Sequence, residues 1–130
     1  MDQITEVANE QYISEIDFND NCNMQLQLSP HVIEQLRDQG VVCDKELELE
    51  YFFYTNSAEK AENLATEISK LNYTVSFGVS EGSKDRFFVT GWTTKMKITD
   101  DAVNQWIEQM CELGYKFDCN FDGWGTFSEQ

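Results

Sequence analysis

The chain has 130 residues, a length that suits one domain able to bury a core without disulfides or a metal to hold it together. Hydrophobic residues make up 41% and aromatics 13%, enough apolar side chain to offset the entropy of ordering, which argues against a disordered chain. The 24 Asp and Glu against 9 Lys and Arg give a formal charge of -15. A field of that sign repels phosphate backbones and anionic headgroups, so direct nucleic-acid or membrane binding is disfavoured, and a basic protein partner or plain solubility accounts for the charge.

The opening MDQITEVANE lacks the basic and apolar regions of a secretory leader. No apolar run approaches the ~20 residues needed to span a bilayer. Cys22, Cys43, Cys111 and Cys119 contain no C-x-x-C pair and read as reduced thiols, which together predicts a cytoplasmic protein. In residues 1–28, Ile4, Val7, Ala8 and Tyr12 share one helical face, whereas FNDNCN reads as a loop. Ser29 as N-cap, Pro30 at the first helical position and Gly40 as the stop predict a short helix. Residues 1–44 are therefore expected to be a helical extension of the same domain as 45–130.

From Lys45 to Tyr54 the sequence alternates, with Leu47, Leu49, Tyr51 and Phe53 on one face and Glu46, Glu48, Glu50, Phe52 and Tyr54 on the other, which predicts a strand with one buried face. Asn56 or Ser57 caps a helix carrying Ala61, Leu64, Ala65, Ile68 and Leu71 at helical spacing. Tyr73, Val75, Phe77 and Val79 then alternate up to the turn Glu81-Gly82-Ser83-Lys84, and RFFVTGWTTKM resumes in β-prone residues, predicting a hairpin. Thr99 and Asp100 cap a second helix, with Val103, Trp106, Ile107, Met110 and Leu113 as its stripe and Gly114 as its stop. A last strand places Tyr115, Phe117, Cys119 and Phe121 inward. Ala61 through Val75 superpose at constant offset on Val103 through Phe117, so the order βαββαβ repeats a unit. That order predicts a ferredoxin-like α+β sandwich, a four-stranded antiparallel sheet with two helices on one face.

Little in the chain invites catalysis. His31 is the one histidine, the glycines form no phosphate-binding loop, and the cysteines lack zinc spacing, so no cofactor or metal is predicted. Glu46, Glu48 and Glu50 at i, i+2 spacing project as a row along a strand, the form of a partner-binding stripe rather than a carboxylate dyad. The topology predicts that this row lies near Asp118 and Asp122, giving an acidic surface opposite the helices. In Phe121-Asp122-Gly123-Trp124-Gly125-Thr126, Gly123 and Gly125 form a structural turn around Trp124, which either caps the core or anchors a partner.

The helix ending in Leu113-Gly114-Tyr115, the acidic βαββαβ domain and above all the D-G-W-G-T string at Asp122–Thr126 resemble the regulator of ribonuclease activity B family. The resemblance covers about residues 30–128. It implies a non-catalytic protein that binds ribonuclease E through that enzyme's arginine-rich scaffold region, lowers RNA cleavage and alters degradosome composition. Partner-binding residues would be Glu46, Glu48, Glu50, Asp118, Asp122 and Trp124. Two alternatives stand beside it: an acidic immunity or adaptor protein for another basic partner, and a small hydrolase or ligand-binding domain using Asp118, Asp122 or Cys119.

Overall fold

The alternation that begins at Lys45 becomes the central strand of the protein. In the computed structural model, which describes residues 11–82 and 85–130, the elements run α1 (Glu15–Asp38), β1 (Glu46–Leu47), β2 (Glu50–Thr55), α2 (Ala58–Ser69), β3 (Ser76–Val79), β4 (Phe87–Trp92), β5 (Met96–Lys97), α3 (Asp100–Lys116) and β6 (Asn120–Gly125). The main sheet has the order β3-β4-β2-β6 with every pair antiparallel, the order of a ferredoxin-like sandwich. Leu47, Leu49, Tyr51 and Phe53 are each 0% exposed, so one face of the alternating run is wholly buried.

That run is not one uninterrupted strand. Glu50 pairs with Trp92, and Thr93 N–H donates to the Leu49 carbonyl at 2.8 Å, yet Leu47 pairs with Met96, so one extra residue is accommodated in Thr94–Lys95. The Leu49 N–H is satisfied by the Thr93 hydroxyl at 2.9 Å instead of a carbonyl. The bulge splits off the small β1-β5 sheet without changing which side chains face inward.

Both sandwich helices form as their capping signals predict. Ser57 accepts from Lys60 N–H and Thr99 from Ala102 N–H, and the stripes Ala61, Leu64, Ala65, Ile68 and Val103, Trp106, Ile107, Met110 are buried on the same face of the sheet. Two other expectations are corrected. First, the helix assigned to Ser29–Gln39 begins at Glu15, capped by the Ser14 hydroxyl, and runs straight through Pro30, so FNDNCN is helical and Ser29 is buried mid-helix. Pro30 costs one ladder bond. Packing outweighs it, because Gln25, Ser29, Ile33 and Leu36 are buried, and Phe18, Cys22 and Leu26 join the same side against the core. Gly40, with φ of 95°, does end this helix. Tyr12 lies just before α1 and is exposed, while Ile4, Val7 and Ala8 lie outside the described residues.

Second, α3 continues past Gly114 to Lys116, so Tyr115 and Phe117 belong to the helix end and its cap, not to an inward strand face. Gly114 serves close approach. A Cβ there would stand 2.5 Å from the Cys119 carbonyl oxygen and 2.7 Å from the Phe53 ring. The chain reverses through Asp118 at φ of 59°, and Cys119 N–H returns to the Gly114 carbonyl at 2.7 Å, so only Cys119 and Phe121 of the predicted inward set stay inward. The repeat fails at the matching place in the first half, where Tyr73 and Val75 precede β3, and Phe77 and Val79 are 46% and 59% exposed at the sheet edge.

Replacing Gly114 by Ala improves helix propensity by about 1 kcal/mol but forces Cβ against backbone and ring. The Gly114→Ala protein should therefore be less stable than wild type, by about 1–3 kcal/mol in urea unfolding. A stabilised variant would remove the close-approach role.

Candidate functional site

Strand β6 carries the D-G-W-G-T string singled out in the sequence, and Gly123 and Gly125, expected to form a turn, pair instead with β2 around a second bulge. Phe121 pairs with Phe53 and Gly123 with Phe52, which leaves Asp122 unpaired between them, exposed, with Gly123 at φ of 139°. The extra residue shifts the phase of the strand so that Phe121 and Trp124 both face the helices. Trp106 of α3 meets each of them edge-on, with ring centroids 5.9 Å from Phe121 and 6.2 Å from Trp124. Trp124 thus packs against the rim of the core, half-buried. Beyond it, the Thr126 hydroxyl donates to the Glu48 carbonyl at 2.7 Å, and the Gln130 side chain both accepts from Glu48 N–H at 2.7 Å and donates to the Glu48 carbonyl at 3.0 Å.

The acidic row is partly as expected. Glu46 and Glu48 are exposed and Glu50 is half-buried, but they straddle the β1-β2 break: Glu46 faces Lys97 across the small sheet, and Glu50 sits between Trp92 and Gly125. Asp118 is far from them. Because β6 is antiparallel to β2, Asp118 falls at the opposite end, where its carbonyl accepts from the Thr55 hydroxyl at 2.8 Å. Its carboxylate is taken up internally. It accepts from Tyr12 N–H at 2.6 Å and Ile13 N–H at 2.9 Å and pairs with Lys60 at 2.5 Å, fastening the start of α1 to the end of α3.

Asp118 is therefore a fastener inside the protein rather than a neighbour of the Glu46–Glu50 row. No local pattern could show this, since its two backbone donors are 106 and 105 residues away in sequence.

Cys119 is likewise committed to the interior. Burial pushes its thiol up to about 12, with Asp118 adding to the shift and Thr55 and Lys60 opposing it, so the nucleophilic thiolate is scarce at neutral pH. Burial beside Cys22 also raises Cys111 well above the ordinary thiol range. Among the described residues no helix is long and apolar enough to cross a membrane.

The face of the sheet opposite the helices is aromatic. Phe52, Tyr54, Phe88 and Trp92 lie on it half-exposed, with Phe127 stacked on Trp92 at 5.6 Å and the Arg86 guanidinium 3.8 Å above the Tyr54 ring. At one corner Tyr12, Asp17, Asn21, Tyr54, Arg86 and Asn120 line an open groove of about 400 Å³. The alternation had placed Phe52 and Tyr54 outward. Phe88 and Trp92 were hidden in an evenly apolar run where neither face could be told from the other.

Residues 28–126 match the family model described as Regulator of ribonuclease activity B. The chain belongs to that family. A protein of Xenorhabdus nematophila named regulator of ribonuclease activity B is 28% identical over 100 residues, 75% of this chain and 71% of that relative. The protein of the same name from Escherichia coli K12 is 29% identical over 102 residues, covering 75% and 72%. The family match begins within α1 and ends at Thr126, so it takes in both sheets, the sandwich helices and the whole D-G-W-G-T string.

Two measurements follow from this geometry. Asp118→Ala removes one ion pair of Lys60 and the acceptor of two backbone N–H groups, so it should cost about 2–4 kcal/mol. Hydrogen exchange should speed up at Tyr12 and Ile13; unchanged exchange there would mean that the carboxylate does not hold the segment. On brief iodoacetamide treatment at neutral pH, exposed Cys43 should be alkylated first, with Cys111 and Cys119 reacting only in denaturant.

Proposed function

We propose that this chain binds ribonuclease E in the cytoplasm and lowers its RNA cleavage, without itself catalysing a reaction. The observation that carries the reading is the family match over residues 28–126, whose relatives are named regulators of ribonuclease activity. The charge of -15 supports a protein partner rich in arginine and disfavours contact with the RNA. Carboxylates bind guanidinium groups by charge-assisted, often bidentate hydrogen bonds, and of the proposed site Glu46, Glu48 and Asp122 are exposed and Glu50 is half-buried. Asp118 and Trp124 contribute from within, the first by fastening α1 and the second by bracing β6 against Trp106. Capture of an extended arginine-rich segment would alter which other proteins assemble on it.

Calorimetric titration with the C-terminal scaffold fragment of ribonuclease E, at low and at physiological salt, tests this. Saturable binding that weakens with salt is expected. Glu46, Glu48 and Glu50 changed together to Lys should reduce affinity by roughly tenfold or more, since reversed charges repel the same partner. Unaltered affinity in that variant removes the row from the interface, and no binding at either salt removes ribonuclease E as the partner.

A further inference from the structure

We propose that the open face of the sheet is a stacking platform for arginine side chains of a protein partner, with Phe52 and Phe88 as the two vacant rings. The proposal deepens the function proposed above by giving that partner's arginines a place, and rests on that reading only for the partner's name.

Register puts Glu50, Phe52 and Tyr54 of β2 on the face away from the helices, opposite Trp92, Thr90 and Phe88 of β4. Not all of these rings are open. Trp92 is covered by Phe127, and Tyr54 already carries the Arg86 guanidinium at 3.8 Å. Phe52 and Phe88 remain, and glycine lies beside each. Gly123 pairs with Phe52 on the β6 side. Gly78 pairs with Phe88, whose ring lies so close over it that a Cβ there would stand 3.2 Å from the ring edge. With no side chain at Gly78 the Phe88 ring leans over β3, and Phe52 and Phe88 are both half-exposed on this face.

The π face of an aromatic ring accepts either a nucleobase or a planar cation. The sign of the surrounding field selects between them, and with 24 acidic against 9 basic residues it selects the cation. The acids also stand close by: Glu50 on the same face, Asp122 in the bulge beside the Phe52–Gly123 pair, and Asp17 in the groove with Tyr54 and Arg86. A stacked guanidinium keeps its N–H edge free for a carboxylate, whereas a lysine ammonium has no such planar edge. Arg86 over Tyr54 is the same contact made within the chain.

The test compares octa-arginine, octa-lysine and a single-stranded RNA octamer binding to the full chain by NMR titration. Octa-arginine should bind roughly three- to thirtyfold more tightly than octa-lysine, shifting the Phe52 and Phe88 resonances, and RNA should not bind. Phe52→Leu with Phe88→Leu keeps apolar bulk and removes the rings. It should erase the arginine preference while leaving octa-lysine affinity unchanged, and native dispersion of its amide resonances shows that the fold survives. Equal affinity for the two peptides, a preference that survives the Leu variant, binding of neither peptide, or RNA occupying this face would each overturn the proposal. The same Leu variant separates the two readings: a ribonuclease E scaffold that binds it as well as wild type sinks the platform alone. A scaffold that binds neither protein, while octa-arginine still engages the rings, sinks the named partner alone.

Discussion

Strand β2 is hydrogen-bonded along both edges, to β4 on one side and β6 on the other, and this double pairing forces every second residue onto one face. Tyr51, Phe53 and Thr55 go to the interior with Leu47 and Leu49, and the helices α2 and α3 close over them. Glu50, Phe52 and Tyr54 go to the other side by the same necessity. The core and the outward face are thus two consequences of one alternation. A shift of register by one residue would exchange them, placing a glutamate inside and leucines in water.

Locally periodic features were legible in the sequence and non-local ones were not. The strand from Leu47 to Phe53 and the stripes of α2 and α3 declare themselves because burial on one side imposes a period on neighbouring residues. Helix α1 escaped for the opposite reason: its buried stripe contains Gln25 and Ser29, and Pro30 interrupts it, so its helicity depends on α3 and β6 rather than on its own residues. The end of α3 and the phase of β6 escaped because Gly114 is demanded by the Phe53 ring and the Cys119 carbonyl, and because a single unpaired residue, Asp122, resets which side chains face inward. Of the candidate site, the exposure of Glu46 and Glu48 was readable, whereas Gly123 and Gly125, expected in a turn, lie within β6. The recruitment of Asp118 by Tyr12, Ile13 and Lys60 was not, since spacing in sequence carries no trace of it.

The acidic composition also divides by role once its placement is known. Asp118 fastens α1 to the end of α3, Glu67 pairs with Lys70 at the end of α2, and among the described residues the solvent-facing Glu46, Glu48 and Asp122 make no such ion pair. Net charge therefore overstates the number of carboxylates that stand free at the surface. The open sheet face adds what charge alone lacks, half-exposed aromatic rings beside those carboxylates.

The seat of α1 has a bearing on how the molecule comes into being. This helix packs on α3 and β6, and its first turn is tied to Asp118, so what it rests on is encoded near the far end of the chain. On the ribosome α1 emerges before α3 and β6, the elements its stripe is buried against, and before the turn at Asp118. Strands β1 to β5 and helix α2, which lie between them, can pair in the meantime. Closure of the N-terminal helix is then a late event in synthesis, and the half-made protein presents Phe18, Cys22, Leu26 and Ile33 to its surroundings while it waits.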